Sequence, residues 1–332
     1  MIRIIGAATI TALAAACPAL SQETGSGEVS GTLVLYTSQP DQDAQQTVDA
    51  FMEAYPEVEV DWVRDGTTQM IARLRAEFEA GQPQPDVLLI ADTVTMESLK
   101  QDDRLMAYPE ADTAAYADGL MDPEGHYFST KLITTGIIYN DAAEMVPSSY
   151  ADLLDPAAQN NIVMPSPLES GAATIHMISL TGLPELGWEY YEGLADQGAI
   201  AQGGNGGTFQ AVAGGQALYG FVVDFLAIRS AGEGAPVSFV FPDEGVSAVT
   251  EPAAILSTAK NPEAAKAFID FLLSTEGQEL AAEQGYLPAH PDVAAPEGFP
   301  DRSEIKVIDF DPADALANDA AYKERFIEIF GG

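Results

Sequence analysis

The chain has 332 residues, room for two domains of about 150 residues each, and sets 14 Lys and Arg against 51 Asp and Glu, a formal net charge of −37. A surface this acidic repels phosphate backbones and anionic lipid, which excludes nucleic-acid and peripheral-membrane roles. With 47% hydrophobic residues the chain can build real cores, and its single Cys excludes both a disulfide framework and a Cys-based zinc site.

The N-terminus reads as an address. Arg3 supplies a positive charge, an apolar stretch runs from Ile4 to about Ala16, and Ala19 and Ser21 put small residues where a signal peptidase cuts. Residues 1–21 are therefore expected to be a secretory signal, cleaved after about Ser21, which makes the product periplasmic. The rival is a lipid anchor on Cys17, but Ala14 stands where a lipobox usually has Leu. No other stretch reaches the roughly 18 apolar residues that a membrane span needs.

Residues 32–37 form an apolar run that predicts a buried strand. A helix over 41–54 follows, with Val48, Phe51 and Met52 on one face and Asp41 at its start. Strand 58–63 leads through Asp65 and Gly66 into a helix ending near Ala80. Strand 85–90 leads through Asp92 and Thr93 into a helix ending at Leu99. This β-α-β-α-β-α order predicts an α/β fold with a parallel, helix-covered sheet. Residues 131–139 are a long extended run, a candidate crossover between lobes. A second α/β segment follows: strand 161–164, helices over 174–180, 184–197 and 207–214, and strands 217–223 and 238–241. Strand 253–256 is a candidate return crossover. Helices fill 261–283, and a Pro- and Asp-rich tail ends in a short helix over 320–330.

Catalytic signatures are missing. The three His residues, His126, His176 and His290, lack metal-binding spacing, and there is no nucleophile elbow, P-loop or complete dinucleotide fingerprint. His176, between Ile175 and Met177, reads as a helix-packing residue. The Gly-rich run 203–207 before Thr208 suits either a phosphate cradle or a flexible turn. Between Lys131 and Arg229 there is no Lys or Arg, so the second lobe must grip with neutral donors, backbone N–H groups or carboxylates.

Polar junctions at strand ends are the more informative signal, because helix N-termini there offer free N–H groups. Ser38, Thr67 with Thr68, and Asp92 with Thr93 are three such junctions. Ser170, Gly171 and Ala172 open the helix that holds His176. Each of these residues equally suits a plain helix cap. Asp224 ends the apolar run 218–223, either as a cap or as an acceptor for an amine, a sugar hydroxyl or a metal. Glu251, before Pro252, is a second candidate acceptor or a surface residue.

Together these pieces resemble the periplasmic solute-binding proteins of ABC importers, in the ferric-iron-binding-like branch that includes organophosphate and phosphonate binders. The resemblance spans residues 31–285. It is carried by LVLYTS at 33–38, GTTQMIARLRAE at 66–77, PDV at 85–87, GIIYN at 136–140 and, above all, AAILSTAKNPEAAKAFIDFLLSTEGQ at 253–278. It implies a two-lobed fold, with lobe 1 over 29–135, lobe 2 over 136–250, and 251–332 returning to lobe 1 with the C-terminal helices. It further implies a monomeric receptor, not an enzyme and without a cofactor, that closes on a solute and delivers it to a membrane permease. Ferric binders place adjacent tyrosines at the end of the strand occupied here by Phe221–Asp224. This chain has Val223, Asp224 and Phe225 there, and its adjacent tyrosines, Tyr190 and Tyr191, sit in an amphipathic helix and read as packing. The organophosphate members imply an anion held by Ser38, Thr67, Thr68, Ser170, Gly171 and Ala172, with Asp224 and Glu251 at the other end, and the junction residues Asp92 and Thr93 stay candidate ligand contacts by their position at a strand end. The implied ligand is a small phosphorylated or phosphonate solute, such as a hexose phosphate or 2-aminoethylphosphonate. A ferric or other metal binder of the same fold, and a secreted hydrolase, are the rivals.

Overall fold

The computed structural model describes residues 29–117, 119–309 and 312–331. The expected signal segment, its cleavage site and Cys17 lie outside the described residues.

The first lobe is built from β1 (Gly31–Thr37), α1 (Asp41–Ala54), β2 (Val58–Arg64), α2 (Thr67–Glu79), β3 (Val87–Leu89), α3 (Thr93–Gln101), β4 (Leu105–Met106) and β5 (Phe128–Ser129). The chain then crosses on β6 (Lys131–Asn140). The second lobe holds β7 (Ile162–Met164), α4 (Gly171–Thr181), α5 (Gly187–Asp196), β8 (Ile200–Ala201), α6 (Asn205–Ala213), β9 (Tyr219–Val223), α7 (Asp224–Gly232), β10 (Val237–Val240) and β11 (Ser247–Val249). The chain returns on β12 (Pro252–Leu256), followed by α8 (Pro262–Leu273), α9 (Thr275–Glu283), β13 (Leu287–Pro288) and α10 (Pro312–Phe330).

Two sheets result, ordered β2-β1-β3-β12-β4 and β10-β6-β9-β7-β8. Pairing is parallel among the βα units of each lobe, as in β1 with β2 and β3, and β7 with β8 and β9. It is antiparallel wherever β6 or β12 joins. Each sheet is mixed, because a crossover strand enters from the other lobe and runs against the local parallel βα units. Hydrogen bonds from the Thr130 and Lys131 N–H groups to the Thr250 carbonyl tie the two crossings together.

Burial explains the strand sequences. Leu33, Leu35 and all of Val87, Leu88 and Leu89 are fully inaccessible, as expected for strands covered on both faces. In lobe 1, Phe51 of α1 meets Phe268 of α8 edge to face at 4.9 Å. In lobe 2, Tyr150, Phe221, Tyr190 and Tyr191 share one core, and the His176 ring packs against Tyr150 and Phe221. The helices expected over 261–283 are α8 and α9, divided where Ser274 adopts an extended backbone and caps the second by accepting from the Gly277 N–H. The tail does not stay with lobe 1. Val307 bridges to Val246 of lobe 2, and α10 is 19 residues long, longer than the apolar stretch in its sequence suggests. Tyr322 stacks on Trp188 of α5, while Leu316 and Lys323 line a cavity with Val94 of α3, so α10 touches both lobes. Among the described residues no helix is long and apolar enough to cross a membrane.

Candidate functional site

A cavity of about 450 Å³ lies in the cleft between the lobes. Three helices begin at its wall: α2 after Gly66, α4 after Ser170, and α6 after Gly204. The first N–H groups of a helix have no partner inside it, and the macrodipole makes that end positive. Three such ends on one cavity can hold an anion without a cluster of cations. Arg64, at the end of β2, is the one cationic lining residue, and its Nε–H donates to the Gln39 carbonyl at 2.9 Å.

Asn205 organises the lobe 2 side. Its Oδ1 accepts from the Val223 N–H at 3.1 Å, which turns its Nδ2 toward Ser170 Oγ at 3.0 Å. Ser170 Oγ also accepts from the Ala173 N–H at 3.3 Å. Both acceptor sites of the hydroxyl are thus used, which leaves its proton to be donated. On the lobe 1 side, Ser38 Oγ accepts from the Ala91 N–H at 3.0 Å and joins the ends of β1 and β3. The glycines of the 203–207 run serve α6, which starts at Asn205, two residues earlier than the apolar pattern indicates. A Cβ at Gly204, Gly206 or Gly207 would meet nothing within 4 Å, so packing does not require glycine there, and the helix start faces the cavity as bare backbone.

The inner end of the cavity has a different chemistry. Ile133, Val223, Phe225 and Tyr286 make an apolar wall, with the Phe225 and Tyr286 rings 4.3 Å apart. The one carboxylate among them is Glu251, only 2% exposed, with an unusual backbone φ of 37°. Lys131 Nζ lies 2.7 Å from its Oε2. The ammonium fills one acceptor position of the carboxylate, which has about four, so Glu251 keeps acceptor capacity on the cavity wall. Burial raises the Glu251 carboxyl above the usual range, and Lys131 opposes that shift. Two further acids, Asp65 and Glu169, sit exposed at the mouth, each held by a backbone N–H: Gly66 for Asp65 and Gly203 for Glu169.

Of the ten residues singled out from sequence, Ser38, Thr67, Ser170, Ala172 and Glu251 line this cavity. The other five do not. Thr68 and Asp92 line a second cavity, of about 350 Å³, between α2, α3 and α10. Asp92 caps α3 there, accepting from the Thr95 N–H at 3.0 Å, and burial raises its carboxyl above its ordinary value. The Thr93 hydroxyl lies 3.4 Å from the Thr250 hydroxyl at the crossing. Gly171 meets the other lobe directly. A Cβ there would stand 2.5 Å from the Ala91 carbonyl oxygen and 3.2 Å from Thr67 Cγ2. Asp224 turns away from the cleft into the lobe. It is fully inaccessible and accepts from the Thr134 N–H at 2.9 Å, the Thr134 hydroxyl at 2.6 Å and the Phe225 N–H at 2.7 Å. Burial, only partly offset by these bonds, raises its carboxyl to about 7.

Arg64, Asn205, Phe225 and Tyr286 carry the site without having stood out in the sequence. Arg64 and Asn205 had a weak signal, a polar residue at a strand end or a helix start. Tyr286 had none, because it reaches the cavity only through the packing of the segment after α9.

Residues 82–315 match the family of bacterial extracellular solute-binding proteins. An uncharacterized protein of Haemophilus influenzae is 27% identical over 327 residues, covering 91% of this chain and 90% of its own length. Among solved structures, the periplasmic binding protein AfuA from Actinobacillus pleuropneumoniae, with exogenous fructose-6-phosphate bound, superposes with a TM-score of 0.81 at 22% identity over 90% of this chain and 98% of that one. Iron-bound HitA from Pseudomonas aeruginosa superposes with a TM-score of 0.75 at 21% identity over 89% and 99%. These likenesses show the same two-lobed fold. The chain belongs to the bacterial extracellular solute-binding proteins, a family of binding proteins rather than enzymes whose members take up a small solute and partner an ABC permease.

Proposed function

We propose that this protein is the periplasmic receptor of an ABC importer for a small, hydroxylated phosphate or phosphonate ester of about hexose phosphate size. One observation carries the reading. The N-termini of α2, α4 and α6, Arg64 and the donating Ser170 hydroxyl converge on one cavity. Fixed dipoles in a closed cleft hold an anion locally even though the whole chain is strongly acidic, since distant exposed charges are screened within about 10 Å. The likeness to AfuA with fructose-6-phosphate supports the same class. The volume of about 450 Å³ suits a sugar phosphate better than a two-carbon phosphonate. Cleavage after about Ser21 and action as a monomer complete the proposal.

The likeness to iron-bound HitA keeps a ferric reading in view, but its ligands are wanting. Tyr190 and Tyr191 are buried in the lobe 2 core. Tyr286 lines the cavity, and its hydroxyl already donates to Asp43 at 2.5 Å. Ferric ion prefers several anionic oxygen ligands. The test is a thermal-shift and calorimetric titration with glucose 6-phosphate, fructose 6-phosphate, 2-aminoethylphosphonate and ferric citrate. Hexose phosphates are expected to raise Tm, and Ser170→Ala and Arg64→Ala to weaken binding about tenfold each. A response to ferric citrate alone, with a visible phenolate charge-transfer band, refutes the proposal.

A further inference from the structure

We infer that Lys131, a residue outside the cavity lining, sets which solutes the site accepts by using up the charge of Glu251. The inference rests on the proposed function and deepens it. Lys131 is 3% exposed and Glu251 2%, and they face each other across the two crossings, one at the start of β6 and the other just before β12. Lys131 Nζ is 2.7 Å from Glu251 Oε2 and 4.1 Å from the centre of the Tyr286 ring. An ionised Glu251 leaves the pair neutral, and a protonated one leaves it positive. In neither state does the inner end of the cavity offer net negative charge. The carboxylate nevertheless keeps acceptor positions that Lys131 does not fill, on a residue that lines the cavity.

A buried acceptor whose charge is already matched and whose lone pairs are only partly filled selects a neutral hydroxyl. An ammonium brought there would face Lys131 and lose its hydration without a counter-charge. The other deep carboxylates are committed elsewhere. Asp224 is bonded to Thr134, and Asp43, which lies near enough to raise Glu251 further, is paired with Arg229 and Tyr286. Asp65 and Glu169 lie at the mouth, beside the helix starts that hold the phosphate end. Lys131 is thus a positioning residue. It works through Glu251 to discriminate a sugar phosphate from its amino-sugar counterpart.

The test compares glucose 6-phosphate with glucosamine 6-phosphate by calorimetry at about pH 7, since the two differ by one hydroxyl against one ammonium. The wild type is expected to favour glucose 6-phosphate. Lys131→Met should shift the preference toward glucosamine 6-phosphate by about tenfold or more, as a released carboxylate gains a charged hydrogen bond. Glu251→Gln should move it the opposite way, because the amide still accepts a hydroxyl while Lys131 is left unpaired. Opposite shifts from two partners of one ion pair do not arise from general destabilisation. Should Lys131→Met fail to fold, Glu251→Gln alone decides: an unchanged or reversed preference overturns the inference. A wild type that binds both sugars with equal affinity also overturns it and leaves the phosphate reading standing. A wild type that binds neither refutes that reading, and this inference with it.

Discussion

Gly171→Ala tests the cleft most directly, because it adds one methyl group where the lobes meet. A Cβ at residue 171 would stand 2.5 Å from the Ala91 carbonyl oxygen, about 0.9 Å short of ordinary contact at 3.4 Å, and 3.1 Å from Asp92 Cβ. Ala91 belongs to lobe 1 and its oxygen is part of the backbone, so no side-chain rotation relieves the clash. The lobes must separate by roughly that distance, or the start of α4 must shift. Overpacking of this kind costs about 1–3 kcal/mol. The strain exists only while the lobes meet, so it falls on closure rather than on folding. It therefore predicts affinity for a cleft ligand, probed with glucose 6-phosphate, weaker by about 5- to 150-fold. Small-angle scattering of the ligand-free protein should show a larger radius of gyration for the variant, which makes the test independent of the solute. The melting temperature should barely move, since each lobe keeps its own core. Scattering and affinity both equal to wild type would refute the view that this glycine exists to let the lobes meet.

Two further predictions concern buried titrating groups. Asp224 is raised to about 7, above its unfolded value of about 3.8, so the stability it contributes falls as pH rises through that window. Asp224→Ala strands the Thr134 N–H, its hydroxyl and the Phe225 N–H. It should lower Tm by several degrees at about pH 5 and by less at about pH 8, where the buried charge it removes is itself unfavourable. Lost affinity with unchanged Tm would show instead that Asp224 meets the ligand. His176 is buried, with Nδ1 2.9 Å from the Ser247 hydroxyl, and burial lowers it to about 3. Its neutral form contributes stability that is complete above about pH 6.5 and is lost as pH falls toward 3. His176→Gln should flatten the Tm curve across that acid limb, and a limb of unchanged slope would count against the argument.

The architecture was legible because its signals are local. The apolar runs of β1 and β3 and the helix faces of α1 and α2 follow from periodicity alone, and so does their βαβ order. Repeated βα units with long crossings then point to two lobes. The cavity-facing ends of α2 and α4 were legible for the same reason, since Thr67 and Ser170 mark a helix start wherever it packs. The short strands β4, β5, β8, β11 and β13 were not legible, because two or three residues carry no period and pair only when a longer strand such as β6 or β12 presents an edge. The reach of α10 was hidden too. Its apolar residues are evenly spread, and only Trp188 on one lobe and Val94 on the other show why they are there.

The acidic residues show the division most clearly. From the amino-acid order alone, Asp224 and Glu251 are equivalent carboxylates at the edge of apolar segments, both candidates to meet a solute. The sequence also determined that lobe 2 would bring no cation of its own between Lys131 and Arg229, and so would have to hold any anion with backbone and hydroxyl donors. Only the tertiary structure separated the two acids. Thr134, ninety residues away, turns Asp224 inward, while Lys131 leaves Glu251 on the cavity wall with its charge matched. A carboxylate's role depends on which charges and donors lie within a few ångströms. Those neighbours are fixed by how the crossover strands pair, across sequence separations that no local pattern records.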